Sequence, residues 1–171
     1  NGRGTSVISE CFLSDEVIEK TLRTTAEDMA KSFNNSMAIS RIDGMIGYNI
    51  NVANAIAGIF ASTGQDLASI HESSTAIFQL EKTDGGLYAS LSLPTLVVGT
   101  VGGGTHFNTP AKILELMGCK GKGKVQRFAK LIAGFALSLE LSTHAAIASG
   151  QFARAHQKLG RNKPVKWLLH S

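Results

Sequence analysis

The stretch Val125–Ser149, VQRFAKLIAGFALSLELSTHAAIAS, decides the fold. It carries no proline, and it is apolar around most of a helical circumference. At about 1.5 Å of rise per residue such a helix is long enough to cross a bilayer. Lys130, Glu140 and His144 interrupt it, however, and Gly134, Ser138, Ser142 and Thr143 dilute it. A helix that is apolar nearly all round but carries such residues belongs in the centre of a globular domain. The reading is therefore a central core helix wrapped by other elements, with no membrane segment.

Working outward, Lys120 to Lys124 alternates lysine with glycine and reads as a mobile basic loop. Before it lies a helix capped by Asn108 or Thr109, with Pro110 in its first turn and its end at Gly118. Val97 to Thr105 reads as a strand end running into a glycine loop. Ser74–Lys82 and Leu87–Leu93 read as strands, with a hairpin signal at Thr83-Asp84-Gly85-Gly86. Asn49–Thr63 reads as a buried helix closed by Gly64. Thr5–Leu13 reads as a strand. Ser14 then caps a helix that Val17, Ile18, Leu22 and Met29 carry to about Phe33, before a polar break at Asn34-Asn35-Ser36. Gln151–Leu159 is a last helix. The fold class predicted is α+β: a long central helix surrounded by helices, with a small, mostly antiparallel sheet.

The bulk numbers fit one folded domain of 171 residues, with 43% hydrophobic and 18% charged residues. Two cysteines, Cys11 and Cys119, make neither a disulfide framework nor a metal site. They imply a reducing, cytoplasmic compartment. The net charge of +4 gathers at the C-terminal end, where ten lysines and arginines beyond Leu116 face one acid, Glu140. Such charge attracts nucleic acid, acidic membrane or phosphorylated small molecules. Without interleaved aromatics it does not suit nucleic acid. The chain starts at Asn1 with no signal peptide, so a piece of a longer protein is expected.

Three constellations carry chemistry. Gly99-Thr100-Val101-Gly102-Gly103-Gly104-Thr105 lets backbone approach a ligand, and its N–H groups suit an anion. The same spacing also fits a plain strand-to-helix turn, and it is neither a P-loop nor G-x-G-x-x-G. Gly64-Gln65-Asp66 puts an acid beside Leu67 and Ala68. Such an acid in apolar company has a raised pKa and can donate a proton, whereas a solvated loop acid is the plain alternative. His156, between Arg154 and Lys158, has cations on both sides that favour its neutral form, so it can exchange a proton near neutrality or simply face solvent.

In chain order these stretches read Gly2-Arg3-Gly4-Thr5-Ser6-Val7, Thr24-Thr25 to Met29, Tyr48-Asn49 to Asn54, Gly64-Gln65-Asp66, Glu72-Ser73-Ser74, Gly99 to Thr105, Glu140-Leu141-Ser142, and His156 with Arg161. The series resembles class I hydroxymethylglutaryl-coenzyme A reductases from Gly2 to about Arg161. The resemblance implies reduction of hydroxymethylglutaryl-coenzyme A to mevalonate and coenzyme A with two hydrides from NADPH. It implies that Asp66 is the catalytic aspartate and that His156 protonates the coenzyme A thiolate. Asn54 would lie near the acyl substrate, Gly102, Gly103, Gly104 and Thr105 would contact the dinucleotide, and Arg161 would meet its 2′-phosphate. No metal is implied. A homo-oligomer with active sites at the subunit interface is. Residues 1–162 would be the C-terminal segment of the large, substrate-binding domain, and 163–171 a flexible basic tail.

The family's catalytic glutamate and lysine, its D-A-M-G-M-N motif and its small NADP-binding domain would lie upstream. The chain alone would then be insufficient for catalysis, since an unstabilised oxyanion resists formation. An upstream anchor, if present, would put the protein on the cytosolic face of the endoplasmic reticulum. The chain departs from the family pattern in three places: Asn35 to Gly44 only loosely matches K-N-x-x-G-S-A-x-A-G, Asn51 replaces a frequent histidine, and Asn162 stands where some relatives carry a regulatory serine. The alternative reading is a non-catalytic relative that serves as a dimerisation or coenzyme A-binding module.

Overall fold

The computed structural model describes residues 3–45 and 47–152. His156, Arg161, most of the helix expected over Gln151–Leu159 and the tail 163–171 lie outside the described residues. Strand β1 (Thr5–Ser14) leads into helix α1 (Asp15–Val17), which runs on as a wider π-helical turn over Ile18–Leu22. Then come α2 (Ala26–Ile42), α3 (Val52–Thr63) and a 3₁₀ turn (Leu67–Ser69) that leads into α4 (Ile70–Ser73). The hairpin β2 (Ile77–Thr83) and β3 (Gly86–Leu96) is followed by a 3₁₀ turn (Gly103–His106), α5 (Asn108–Leu116) and α6 (Val125–Ala148). The strands form a three-stranded antiparallel sheet in the order β1-β3-β2.

The architecture is the α+β arrangement read from the sequence. Helix α6 packs against α2, α3, β1 and β3. It buries Phe128, Ile132, Ala136, Leu137 and Leu141, and also Glu140 and His144. By length and composition it could cross a membrane, but half of its most apolar stretch is buried inside the fold. The sheet contributes Leu87, Ala89, Leu91 and Leu93, alternate residues of β3 that are buried together on one face. Phe60 and Ile56 of α3 and Phe78 of β2 complete the centre. Each such side chain contributes about 1.5–3 kcal/mol by leaving water.

Several element boundaries differ from the sequence reading. The helix expected to run from Asp15 to Phe33 breaks at Arg23, which adopts a left-handed φ of 56°. Thr25 then starts a new helix by accepting from the Asp28 N–H at 3.1 Å and donating to the Asp28 carboxylate at 2.9 Å. This cap, with Glu27 and Asp28 in the first turn, outweighs the continuous apolar period. The break expected at Asn34-Asn35-Ser36 is absent, because Asn34 and Asn35 sit on the exposed side of α2 while Phe33 and Ser40 point inward. Helix α5 is preceded by Phe107 rather than capped by Asn108 or Thr109. Ser14, Gly64 and the Asp84-Gly85 turn behave as read.

Candidate active site

Helix α3 ends at Gly64, whose φ of 69° and N–H to the Phe60 carbonyl close the helix. The chain then turns through Gln65 and Asp66. Strand β3 ends at Leu96 and runs into Val97–Gly104. These two turns form the walls of an open cleft of about 280 Å³, lined by Gly64, Gln65, Asp66, Gly99, Gly102 and Gly103 among others.

Two devices lock the turns together. The Gln65 side-chain amide accepts the Gly99 N–H at 2.8 Å and donates to the Gly99 carbonyl at 3.0 Å. It pairs with Gly99 as a neighbouring strand would. The second device is a backbone contact. A Cβ on Gly64 would lie 2.4 Å from the Gly104 carbonyl oxygen, and one on Gly104 would lie 2.7 Å from the Gly64 oxygen. Glycine at both positions lets the two chains touch.

Asp66 stands exposed on the cleft wall. The apolar enclosure expected from Leu67 and Ala68 does not form, because both neighbours are themselves exposed. Its Oδ1 instead accepts the Ala68 N–H at 3.0 Å and caps the short turn that follows. Among the described residues its second carboxylate oxygen has no hydrogen-bond partner.

The glycine loop fits an anionic guest. Added side chains at Gly102 or Gly103 would meet no atom within 4 Å, so the loop stands open. Among the described residues the N–H groups of Gly102, Gly103 and Gly104 have no partner. Thr105 is buried, and its hydroxyl donates to the Gly102 carbonyl at 2.6 Å, which holds the loop's curve. The basic loop lies alongside: Gly121 N–H donates to the Thr100 carbonyl at 3.0 Å and the Thr100 hydroxyl to the Gly121 carbonyl at 2.7 Å. The basic loop is thus anchored at Gly121 to Thr100, and Lys122 and Lys124 that follow are exposed.

Other motif residues hold the scaffold. Arg3 grips Glu72 with Nε at 2.9 Å and 3.0 Å from the two carboxylate oxygens, and Nη2 donates to Oε1 as well. This bond and the charge of Arg3 hold the Glu72 carboxyl below the usual carboxylate range. Ser73 Oγ accepts the Val97 N–H at 3.0 Å, and the Thr95 hydroxyl donates to the Glu72 carbonyl at 2.6 Å. These contacts tie α4 to the strand end that launches the glycine loop.

Asn54 lies elsewhere. It sits in the first turn of α3, whereas Asp66 follows the last, so the helix separates them by roughly 15 Å along its axis. The structure brings Asp66 and the glycine loop together and places Asn54 at the opposite end of α3. There the buried Glu140 of α6 accepts the backbone N–H of Ile50 at 3.0 Å and that of Asn51. No side chain of α3 caps its own N-terminus, so a carboxylate 90 residues away in sequence does so. Burial raises the Glu140 carboxyl, and the N–H groups partly offset that. His144, one turn on, is fully buried, stacked on Phe78 at 4.9 Å and edge-on to Phe33. Neither of its ring nitrogens has a hydrogen-bond partner. Burial pushes it down to about 4. Its 3.8 Å approach to Glu140 is therefore not an ion pair at neutral pH, since the imidazole is uncharged there.

The fold is thus a helix-cored α+β domain in which the Gly64–Asp66 turn and the open glycine loop line one cleft. The chain belongs to the hydroxymethylglutaryl-coenzyme A reductase family, whose model matches residues 1–161. It is 43% identical over 162 residues to the 3-hydroxy-3-methylglutaryl-coenzyme A reductase of Methanocaldococcus jannaschii, a match that covers 94% of this chain and 40% of that protein. It is 40% identical over 161 residues to the enzyme of the same name from Methanothermobacter thermautotrophicus, covering 94% and 41%. With that of Pyrococcus horikoshii it shares 42% over 167 residues, covering 94% and 40%. The chain thus spans about 40% of the length of these curated relatives.

Proposed function

We propose that the protein carrying this chain is an NADPH-dependent reductase that converts hydroxymethylglutaryl-coenzyme A to mevalonate and coenzyme A. The observation that supports this best is Asp66 facing the open Gly102–Gly104 backbone across one cleft, with Gln65 and the Gly64–Gly104 contact fixing their separation. Bound NADPH would supply hydride to the thioester carbon. The free N–H groups of Gly102, Gly103 and Gly104 suit its phosphates. Asp66, held through Oδ1 by Ala68, keeps Oδ2 free to pass a proton to the carbonyl oxygen as negative charge develops there. His156 would protonate the departing thiolate, Arg161 would pair with the 2′-phosphate, and Asn54 would meet the acyl chain. A homo-oligomer would complete the site with the glutamate and lysine expected upstream. The free Cys11 and Cys119 accord with a cytoplasmic protein or one on the cytosolic face of the endoplasmic reticulum.

The test is Asp66→Asn in the protein that carries this chain, followed by NADPH consumption with the thioester. Loss of about a hundredfold or more in kcat is expected for removal of a general acid. Near-normal turnover would overturn the role of Asp66. A folded wild-type protein that binds coenzyme A but never consumes NADPH would favour the non-catalytic module.

A further inference from the structure

We infer that Thr143 and Asn51 are positioning residues that fix the direction of the Asn54 amide, so that Asn54 presents its carbonyl oxygen to a hydroxyl on the acyl substrate. The inference rests on the proposed function, in which Asn54 meets that substrate.

The argument follows hydrogen-bond polarity. The Thr143 hydroxyl donates to the Leu139 carbonyl at 2.9 Å, one turn earlier in α6. Its single proton is then used, and its oxygen only accepts. The partner facing that oxygen is Asn51 Nδ2, which donates to it. This sets the Asn51 amide: nitrogen toward α6, oxygen outward. Asn51 Oδ1 in turn accepts from Asn54 Nδ2 at 3.1 Å. The same logic turns Asn54 with its nitrogen toward Asn51 and its Oδ1 away from the relay. Thr143 is buried, Asn51 half-buried and Asn54 exposed, so the chain of bonds runs from the core to the surface and ends on an acceptor.

The backbone beneath is equally fixed. Glu140, one helical turn from Thr143, accepts the Ile50 and Asn51 N–H groups and holds the start of α3 against α6. The relay therefore rests on two points of one rigid helix. An acceptor aimed outward complements a donor. Of the groups on a hydroxylated, carboxylated acyl thioester, only the hydroxyl is a donor at neutral pH. A carboxylate facing Asn54 Oδ1 would meet oxygen against oxygen.

The experiment is a calorimetric comparison of hydroxymethylglutaryl-coenzyme A with its analogue lacking the 3-hydroxyl, methylglutaryl-coenzyme A. Both are titrated into the whole protein carrying this chain, without cofactor. Wild type should prefer the hydroxylated thioester by about tenfold, the value of one hydrogen bond that is lost with its partner. Thr143→Val keeps shape but supplies no acceptor, and should bring the ratio near one. Thr143→Ser should restore it, which a packing role would not require. Asn51→Ser, which leaves α6 untouched, should lower the ratio as Thr143→Val does and serves if the valine variant does not fold. A wild-type ratio retained in both Thr143→Val and Asn51→Ser would overturn the relay. Equal binding of the two thioesters by wild type would overturn it while leaving the proposed function standing. Binding of neither thioester by a folded wild type would overturn the proposed function and the relay with it.

Discussion

His144 makes this protein selectively sensitive to mild acid. The ring is fully buried between Phe78 and Phe33 and near Tyr48, with Glu140 the one charged group beside it among the described residues. Burial lowers it from 6.5 to about 4. Between those values the unfolded chain binds a proton that the folded chain does not, so stability rises with pH through that window and is flat above it. The full span is about 3 kcal/mol, and going from pH 7 to pH 5 takes away about 2 kcal/mol. The perturbation is His144→Met, which fills an irregular gap with flexible apolar volume and removes the titration. At pH 7 the variant should be at least as stable as wild type, because two unpartnered ring nitrogens leave the core. At pH 5 it should exceed wild type by a further margin of about 2 kcal/mol, read as a urea midpoint difference of about 1 M. The raised carboxyl of Glu140 works in the opposite sense, losing stability as pH rises, but it is present in both proteins and largely cancels in the comparison. A stability difference that stays constant between pH 7 and pH 5 would refute the reasoning.

Gly104→Ala should cost about 1–3 kcal/mol, because its Cβ would fall 2.7 Å from the Gly64 oxygen and neither backbone can yield freely. A lowered melting temperature together with weakened nucleotide binding would show it. Gln65→Leu strips the Gly99 N–H and carbonyl of their shared partner, at about 1–3 kcal/mol, and should raise amide exchange at Gly99. Glu140→Ala leaves the Ile50 and Asn51 N–H groups without their acceptor. It should cost about 2 kcal/mol or more, with exchange rising first at those two amides. Glu72→Gln, by contrast, weakens a solvent-screened ion pair with Arg3 and should leave the melting temperature nearly unchanged.

The α6 stretch, the hairpin around Asp84-Gly85, the Ser14 cap and the Gly64 close were legible in the sequence because each rests on residues within one turn of each other. Apolar period, glycine and cap chemistry are local properties. The candidate site was legible as a set of motifs, Gly64-Gln65-Asp66 and Gly99 to Thr105, without their meeting. What Gln65 does depends on Gly99, 34 positions away, and no local pattern marks a side-chain amide that pairs with a distant backbone. The exposure of Asp66 likewise followed from how the 3₁₀ turn aims Leu67 and Ala68, which neighbouring letters do not reveal. The α2 boundary was missed because a threonine cap competes locally with a continuous apolar period. Glu140 read as an interruption of an apolar helix and proved to be the cap of another, since only folding brings α6 to the N-terminus of α3. The sequence by itself thus determined the α3 and α6 helices, the three strands and the glycine loop. The tertiary structure alone decided which carboxylate is buried, which faces the cleft, and which way the Asn51 and Asn54 amides point, because burial and hydrogen-bond direction are properties of contacts between segments far apart in the chain.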